Sequence, residues 1–177
     1  MDDPKHFRVV FLGESNVGKT FLINSFINGY IRDTSYTTGS PSYITKTIKY
    51  GNKNYSFDIW DTSGYVRYRS ITKFLLKDAN IIVLVYDTTE ESTFLELDYW
   101  INTILTQNNP EVYFILVGNK SDLFENEEIR EEDAVNFAKI LNAKFSLISV
   151  KVNPFRWQNF LENAFIDYIK NFEKNKK

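Results

Sequence analysis

The 177-residue chain reads as a single α/β domain, a six-stranded, mostly parallel sheet with one antiparallel edge strand and helices on both faces. Short apolar, β-rich runs alternate with amphipathic stretches, as parallel strands joined by helical crossovers require. With 43% hydrophobic residues, the chain is long enough for one well-buried core and too short for two ordinary domains. The segment from Ile48 to Tyr55 carries a Gly51-Asn52 turn between alternating residues, which predicts a hairpin and with it the antiparallel edge.

The elements follow in order. Phe7-Arg8-Val9-Val10-Phe11-Leu12 predicts a buried strand over 7–12, and Phe21, Leu22, Phe26 and Ile27 recur at helical spacing within 18–28. The hairpin strands fall at 42–50 and 53–60, a helix at 66–77 and a strand at 80–86. Leu97, Tyr99, Trp100, Ile101, Ile104 and Leu105 give a helix over 92–107 a core face. After a strand at 112–117, the acidic run from Glu125 ends in Glu131, Glu132 and Asp133, which favour the N-terminus of a helix over 131–142. A strand at 145–149 precedes a last helix over 155–172, whose Phe155, Trp157, Phe160, Phe165, Tyr168 and Phe172 are expected to dock on the sheet. Pro110 and Pro154 fall between elements, where a missing N–H costs least. Residues 1–177 are thus expected to form one domain, ordered over 6–172 with a C-terminal tail that is short or truncated.

Composition removes several function classes. The net charge of −2 gives no global attraction for nucleic acid. No apolar run reaches membrane-spanning length, and Met1-Asp2-Asp3-Pro4 lacks a secretory pattern, so a cytoplasmic chain is expected. The absence of cysteine excludes disulfides, thiolate metal sites and cysteine lipidation within these residues. His6 is expected to be exposed, and the mildly basic end at 170–177 reads as a solvated helix terminus.

Chemistry concentrates at the ends of the parallel strands, where open α/β sheets bind ligands. Gly13-Glu14-Ser15-Asn16-Val17-Gly18-Lys19-Thr20 is a GxxxxGK[ST] phosphate loop between a strand and a helix. Its backbone N–H groups, from Ser15, Asn16, Val17 and Gly18, can turn inward around a phosphate at the helix N-terminus, and Lys19 can neutralise β and γ oxygens. Thr20 would give its hydroxyl to Mg²⁺. After the third strand, Asp61-Thr62-Ser63-Gly64 offers a carboxylate for Mg²⁺ through water and a glycine whose N–H can meet a γ-phosphate. After the fifth, Asn119-Lys120-Ser121-Asp122 forms NKxD. Asp122 can accept from guanine N1–H and the N2 amine, a donor pair adenine lacks, which favours GTP over ATP. Ser149-Val150-Lys151, after the sixth strand, could direct backbone N–H groups to guanine O6. A phosphate-loop ATPase is the alternative if Asp122 is incidental.

With these motifs in this order, the chain resembles the Ras superfamily of small GTPases over nearly its whole length, and the Rab branch in particular. Rab-like stretches include Trp60 to Gly64, Arg67 to Thr72 and Leu84 to Thr89. The resemblance implies a GTP/GDP switch in vesicle trafficking, with Mg²⁺ as cofactor and GTP/GDP as the bound nucleotide. It also implies an exchange factor, an activating protein and effector proteins as partners. Its first switch loop spans Ile31 to Ser42. Thr38, eighteen residues after Thr20, holds the family position of the switch threonine that reaches Mg²⁺ and the γ-phosphate, with Thr37 beside it. The second switch runs from Gly64 to about Leu76. Rab proteins usually end in prenylated cysteines, absent up to Lys177, so a place on the cytoplasmic face of membranes is expected only where a lipidated tail is present.

Several positions depart from the family. Tyr65 stands where a glutamine usually orients the attacking water. A phenol also donates and accepts, but it is bulky, moves on two torsions and is a poor base, so slow intrinsic hydrolysis is expected, with a hydrolysis-deficient GTP-binding interaction module as the alternative. Ile31 holds the place of the ring usually set beside the guanine, with Tyr30 next to it; either could cover the base, and weaker affinity is expected. The three effector-surface aromatics of Rab proteins match Tyr43, Trp60 and Leu75, and Ser40-Pro41-Ser42 replaces the usual switch sequence.

Overall fold

Six strands form one sheet: β1 (Lys5–Leu12), β2 (Ser42–Tyr50), β3 (Lys53–Asp61), β4 (Ile81–Asp87), β5 (Tyr113–Asn119) and β6 (Lys144–Ile148). They lie in the order β2-β3-β1-β4-β5-β6, as given by a computed structural model that describes residues 4–29, 42–65, 68–106 and 112–175. Only β2 runs antiparallel; it pairs with β3 from Ser42 opposite Asp61 to Tyr50 opposite Lys53. Gly51 closes that hairpin at φ 61, a left-handed conformation open to glycine at no steric cost. The helices are α1 (Lys19–Asn28), α2 (Arg69–Leu76), α3 (Glu91–Leu95), α4 (Leu97–Leu105), α5 (Glu131–Ile140) and α6 (Pro154–Lys174).

The sheet separates two cores, and the strand period of two sorts residues between them. Phe7, Val9 and Phe11 of β1 join Val83 and Val85 of β4 in a core closed by α1 and α6. Val10, Leu12, Ile82, Leu84 and Tyr86 face the other core, with Leu76, Trp100 and Ala134 from α2, α4 and α5. Central strands covered on both faces must read as continuous apolar runs, which is why they stand out in the sequence. Trp157 fixes α6 to α1 by donating its indole N–H to the Leu22 carbonyl at 2.7 Å. Among the described residues no helix is long and apolar enough to cross a membrane.

Four expectations are corrected. The helix expected over 92–107 is two pieces, α3 and α4, parted at Glu96, whose carboxylate accepts from Arg69 of α2. α3 is itself held to β4, since Thr93 Oγ1 accepts from the Asp87 N–H at 3.0 Å. Pro154 lies inside α6, at its first residue behind the cap Asn153, where no N–H is needed. Phe155, in that same first turn, points to solvent, whereas Trp157 and Phe165 dock as expected. Leu75 is only 6% exposed, because Thr72, Leu75 and Leu76 share the core-facing stripe of α2; Phe74, 74% exposed, is the apolar side chain that α2 presents. His6 is exposed and pairs with Asp58 at 3.0 Å.

Candidate nucleotide-binding site

The turn from β1 into α1 carries residues in unusual backbone conformations because it must aim several N–H groups at one point. Asn16 and Gly18 adopt positive φ, 65° and 99°, flanking Val17, and such alternation forms an anion-binding concavity at a helix N-terminus. A Cβ at Gly18 would lie 2.2 Å from Asn119 Nδ2, so glycine is demanded by space as well as by φ. Lys19 folds back over the loop, donating from Nζ to the carbonyls of Gly13 at 2.8 Å and Glu14 at 2.7 Å. Burial lowers its ammonium to about 8 from the ordinary 10.5, against the opposing pull of the Asp61 and Glu14 carboxylates. Ser15 Oγ is buried with no hydrogen-bond partner among the described residues.

Thr20 and Asp61 meet across the front of this loop, the Thr20 hydroxyl donating to Asp61 Oδ2 at 2.7 Å. One hydroxyl and one carboxylate are hard oxygen donors suited to Mg²⁺, an ion that keeps most of its shell for water and phosphate. No cluster of three or more His, Cys, Asp or Glu exists among the described residues. Thr62 ties the end of β3 to β1, donating to the Phe11 carbonyl at 2.6 Å. Gly64 then packs flat on the phosphate loop: an added Cβ would sit 2.1 Å from the Ser15 nitrogen. Tyr65 follows at 39% exposure.

On the other side, Asn119 at the end of β5 donates from Nδ2 to the Val17 carbonyl at 2.9 Å, joining positions 102 residues apart. Its Oδ1 is buried without a hydrogen-bond partner among the described residues. Lys120, at φ 64, pairs with Asp87; burial alone would raise the Asp87 carboxyl, but hydrogen bonds from Lys120 and Thr89 outweigh it and hold the acid below its ordinary value. A cavity of about 390 Å³ opens here, lined by Asn16, Gly18, Asn119, Lys120 and Asp122 together with Ser149, Val150 and Lys151. Its size suits a small heteroaromatic ligand.

The sequence-predicted residues of the three motifs and of the 149–151 turn are therefore together. Tyr43 and Trp60 also meet, stacked at 4.8 Å between centroids on β2 and β3, with Tyr43 60% exposed. Leu75 is buried in the core cluster on which Trp60 packs, so it is not part of the stacked pair. Tyr30, Ile31, Thr37 and Thr38 lie outside the described residues.

The sequence does not single out three side chains near the site, although Arg69 lies in the Rab-like stretch Arg67 to Thr72. Arg69 donates from Nη2 to Glu14 Oε1 at 3.0 Å and to Glu96, while its guanidinium lies 4.2 Å from the Tyr99 ring centroid. Leu123 and Phe21 line the cavity. Phe21 reads in the sequence as one more apolar helix position, and nothing local distinguishes it.

The model of the Ras family matches residues 8–174. Among known proteins, the chain is 30% identical to the Ras-related protein Rab-19 of Homo sapiens over 160 residues, covering 90% of this chain and 72% of that protein. The family match runs through all six strands and the three loops that converge on the cavity, and the chain belongs to the Ras family as a Rab-like small GTPase.

Proposed function

We propose that the chain is a single guanine-nucleotide-binding domain acting as a GTP/GDP switch in vesicle trafficking, with slow intrinsic hydrolysis. The observation that carries this reading is the Asn119 bridge. One amide holds the phosphate loop at Val17 and lines the cavity beside Asp122, so phosphate and base subsites share one strut. In this reading Asp122 accepts from guanine N1–H and N2, and the Ser149-Val150-Lys151 backbone donates to O6. Backbone N–H groups of Ser15 to Gly18 and the Lys19 ammonium hold the phosphates. Thr20, Thr38 and Asp61 would hold Mg²⁺, which neutralises phosphate charge when bound.

Hydrolysis is in-line attack of water on the γ-phosphorus, breaking the bond to the β–γ bridging oxygen and giving GDP and phosphate. Lys19 and the Gly64 N–H stabilise the charge that moves onto the departing and equatorial oxygens. Tyr65 stands where the water must be oriented and supplies no flexible amide. Its 39% exposure also favours the second reading, a hydrolysis-deficient GTP-binding module whose tyrosine contacts a partner. The stacked Tyr43 and Trp60, with the exposed Phe74 on α2, are the apolar side chains offered to effectors, and an exchange factor and an activating protein act on the switch. The chain acts in the cytoplasm, and at membranes where a lipidated tail is present.

Competition binding with Mg²⁺ tests the nucleotide assignment. GDP is expected to bind at least about a hundredfold tighter than ADP, the loss expected when buried polar groups go unpaired, and Asp122→Ala to abolish most of that preference. Equal affinity for the two would leave Asp122 incidental and return the phosphate-loop ATPase.

A further inference from the structure

The cavity beside Asn119 and Asp122 has an aromatic wall, and it comes from α1. Phe21 is the only aromatic side chain among the described residues that line it. It follows Thr20 directly in the first turn of the helix. Leu22, Ile23 and Phe26 carry the buried face of α1, and Phe21 projects roughly 100° around the helix from Leu22. It is half-buried, one side packed on the core below α1 and α6 and the other open to the cavity.

A purine presents hydrogen-bonding groups at its edge and apolar π-faces above and below. Asp122, Asn119 and the 149–151 backbone suit the edge, which leaves the faces to be covered by carbon. The position where related proteins place a ring, in the first switch loop, holds Ile31. We propose that Phe21 is the aromatic contact of the bound nucleotide's base and ribose, supplied from α1 in place of the switch loop. The proposal rests on the guanine-nucleotide reading above. It also alters one consequence of Ile31: the base contact does not weaken for want of a ring. α1 is fixed at one end by the phosphate loop and along its length by the Trp157 indole on the Leu22 carbonyl, so this contact is held without the switch loop.

The test compares GDP with Mg-pyrophosphate, which fills the phosphate subsite alone, on the parent protein, Phe21→Leu, Phe21→Ala and Ile31→Ala. Phe21→Leu keeps an apolar side chain but removes the ring. It is expected to weaken GDP about tenfold relative to pyrophosphate, the scale of one base–aromatic contact, and Ile31→Ala to weaken it less. Intermolecular NOEs between Phe21 ring protons and the nucleotide's H8 or H1′ are expected in the unsubstituted complex, which needs no variant to fold. A GDP to pyrophosphate ratio within twofold of the parent for Phe21→Leu, equal losses for both ligands, or absent NOEs would each overturn the proposal. Failure of the parent to prefer GDP over ADP would instead overturn the guanine reading beneath it.

Discussion

Tyr65 and Lys19 are the two residues on which the rate and the proton balance turn. Replacing Tyr65 with glutamine gives the water an amide that both donates and accepts, and single-turnover GTP hydrolysis is expected to quicken about tenfold or more. An unchanged rate would remove Tyr65 as the cause of slow turnover. Lys19 enters binding partly deprotonated, because burial lowers its ammonium to about 8. Phosphate oxygens favour the charged form, so binding raises that value and takes up protons. The uptake should grow from about a tenth of a proton near pH 7 to about half near pH 8. Calorimetry of Mg-GDP binding in buffers of different ionisation enthalpy reads it; release of protons over that range would show the sign to be wrong. At this scale the sequence spoke where function fixes residue type and spacing together, as in Gly13 to Thr20 and Asn119 to Asp122. Phe21 was silent because a ring lining a cavity and a ring in a core have the same local pattern. Leu75 misled because matching a surface position by spacing ignores which stripe of α2 faces the core.

Between elements, Arg69 is the contact that couples α2 to the phosphate loop. Its guanidinium serves Glu14 and Glu96 together and lies over Tyr99, and Glu14 in turn accepts from Lys19 through its carbonyl. A displacement of α2 therefore pulls on the loop that holds the phosphates. Arg69→Ala would strand two partly buried carboxylates, and a loss of about 1–3 kcal/mol is expected, or about 2–12 °C in Tm at this chain length. GDP release should quicken at the same time, and Arg69→Lys should recover only part of either effect, since an ammonium cannot fork between two acids. Differential scanning fluorimetry and fluorescent-GDP release check both; a fall in Tm with unchanged release would reduce Arg69 to a packing role. Strand and helix order, the β2–β3 hairpin and the docking of Trp157 and Phe165 were legible from apolar period and turn chemistry. The break at Glu96 was not legible, since nothing in the local pattern marks it; in the fold Glu96 accepts from Arg69, 27 residues away.

Across the whole molecule, the two cores are joined by one sheet, but the loops at its C-terminal edge depend on a ligand for their remaining partners. Ser15 Oγ and Asn119 Oδ1 are buried there without hydrogen-bond partners among the described residues, and Gly64 approaches the phosphate loop with no room for a side chain. Mg-GDP at a thousandfold over Kd should add about 4 kcal/mol, raising Tm by about 8–16 °C, while Mg-ADP at the same concentration, bound at least about a hundredfold more weakly, should add no more than about 1.4 kcal/mol, or about 3–6 °C. Comparable shifts with both would mean that only the phosphate subsite is selective. The most direct measurement of the central claim is the identity of the nucleotide the protein carries when purified with none added, released by denaturation and resolved by chromatography. A guanine-specific site with slow turnover predicts guanine nucleotide, mostly GTP; mostly GDP would contradict slow hydrolysis, and adenine nucleotide would contradict the site assignment itself.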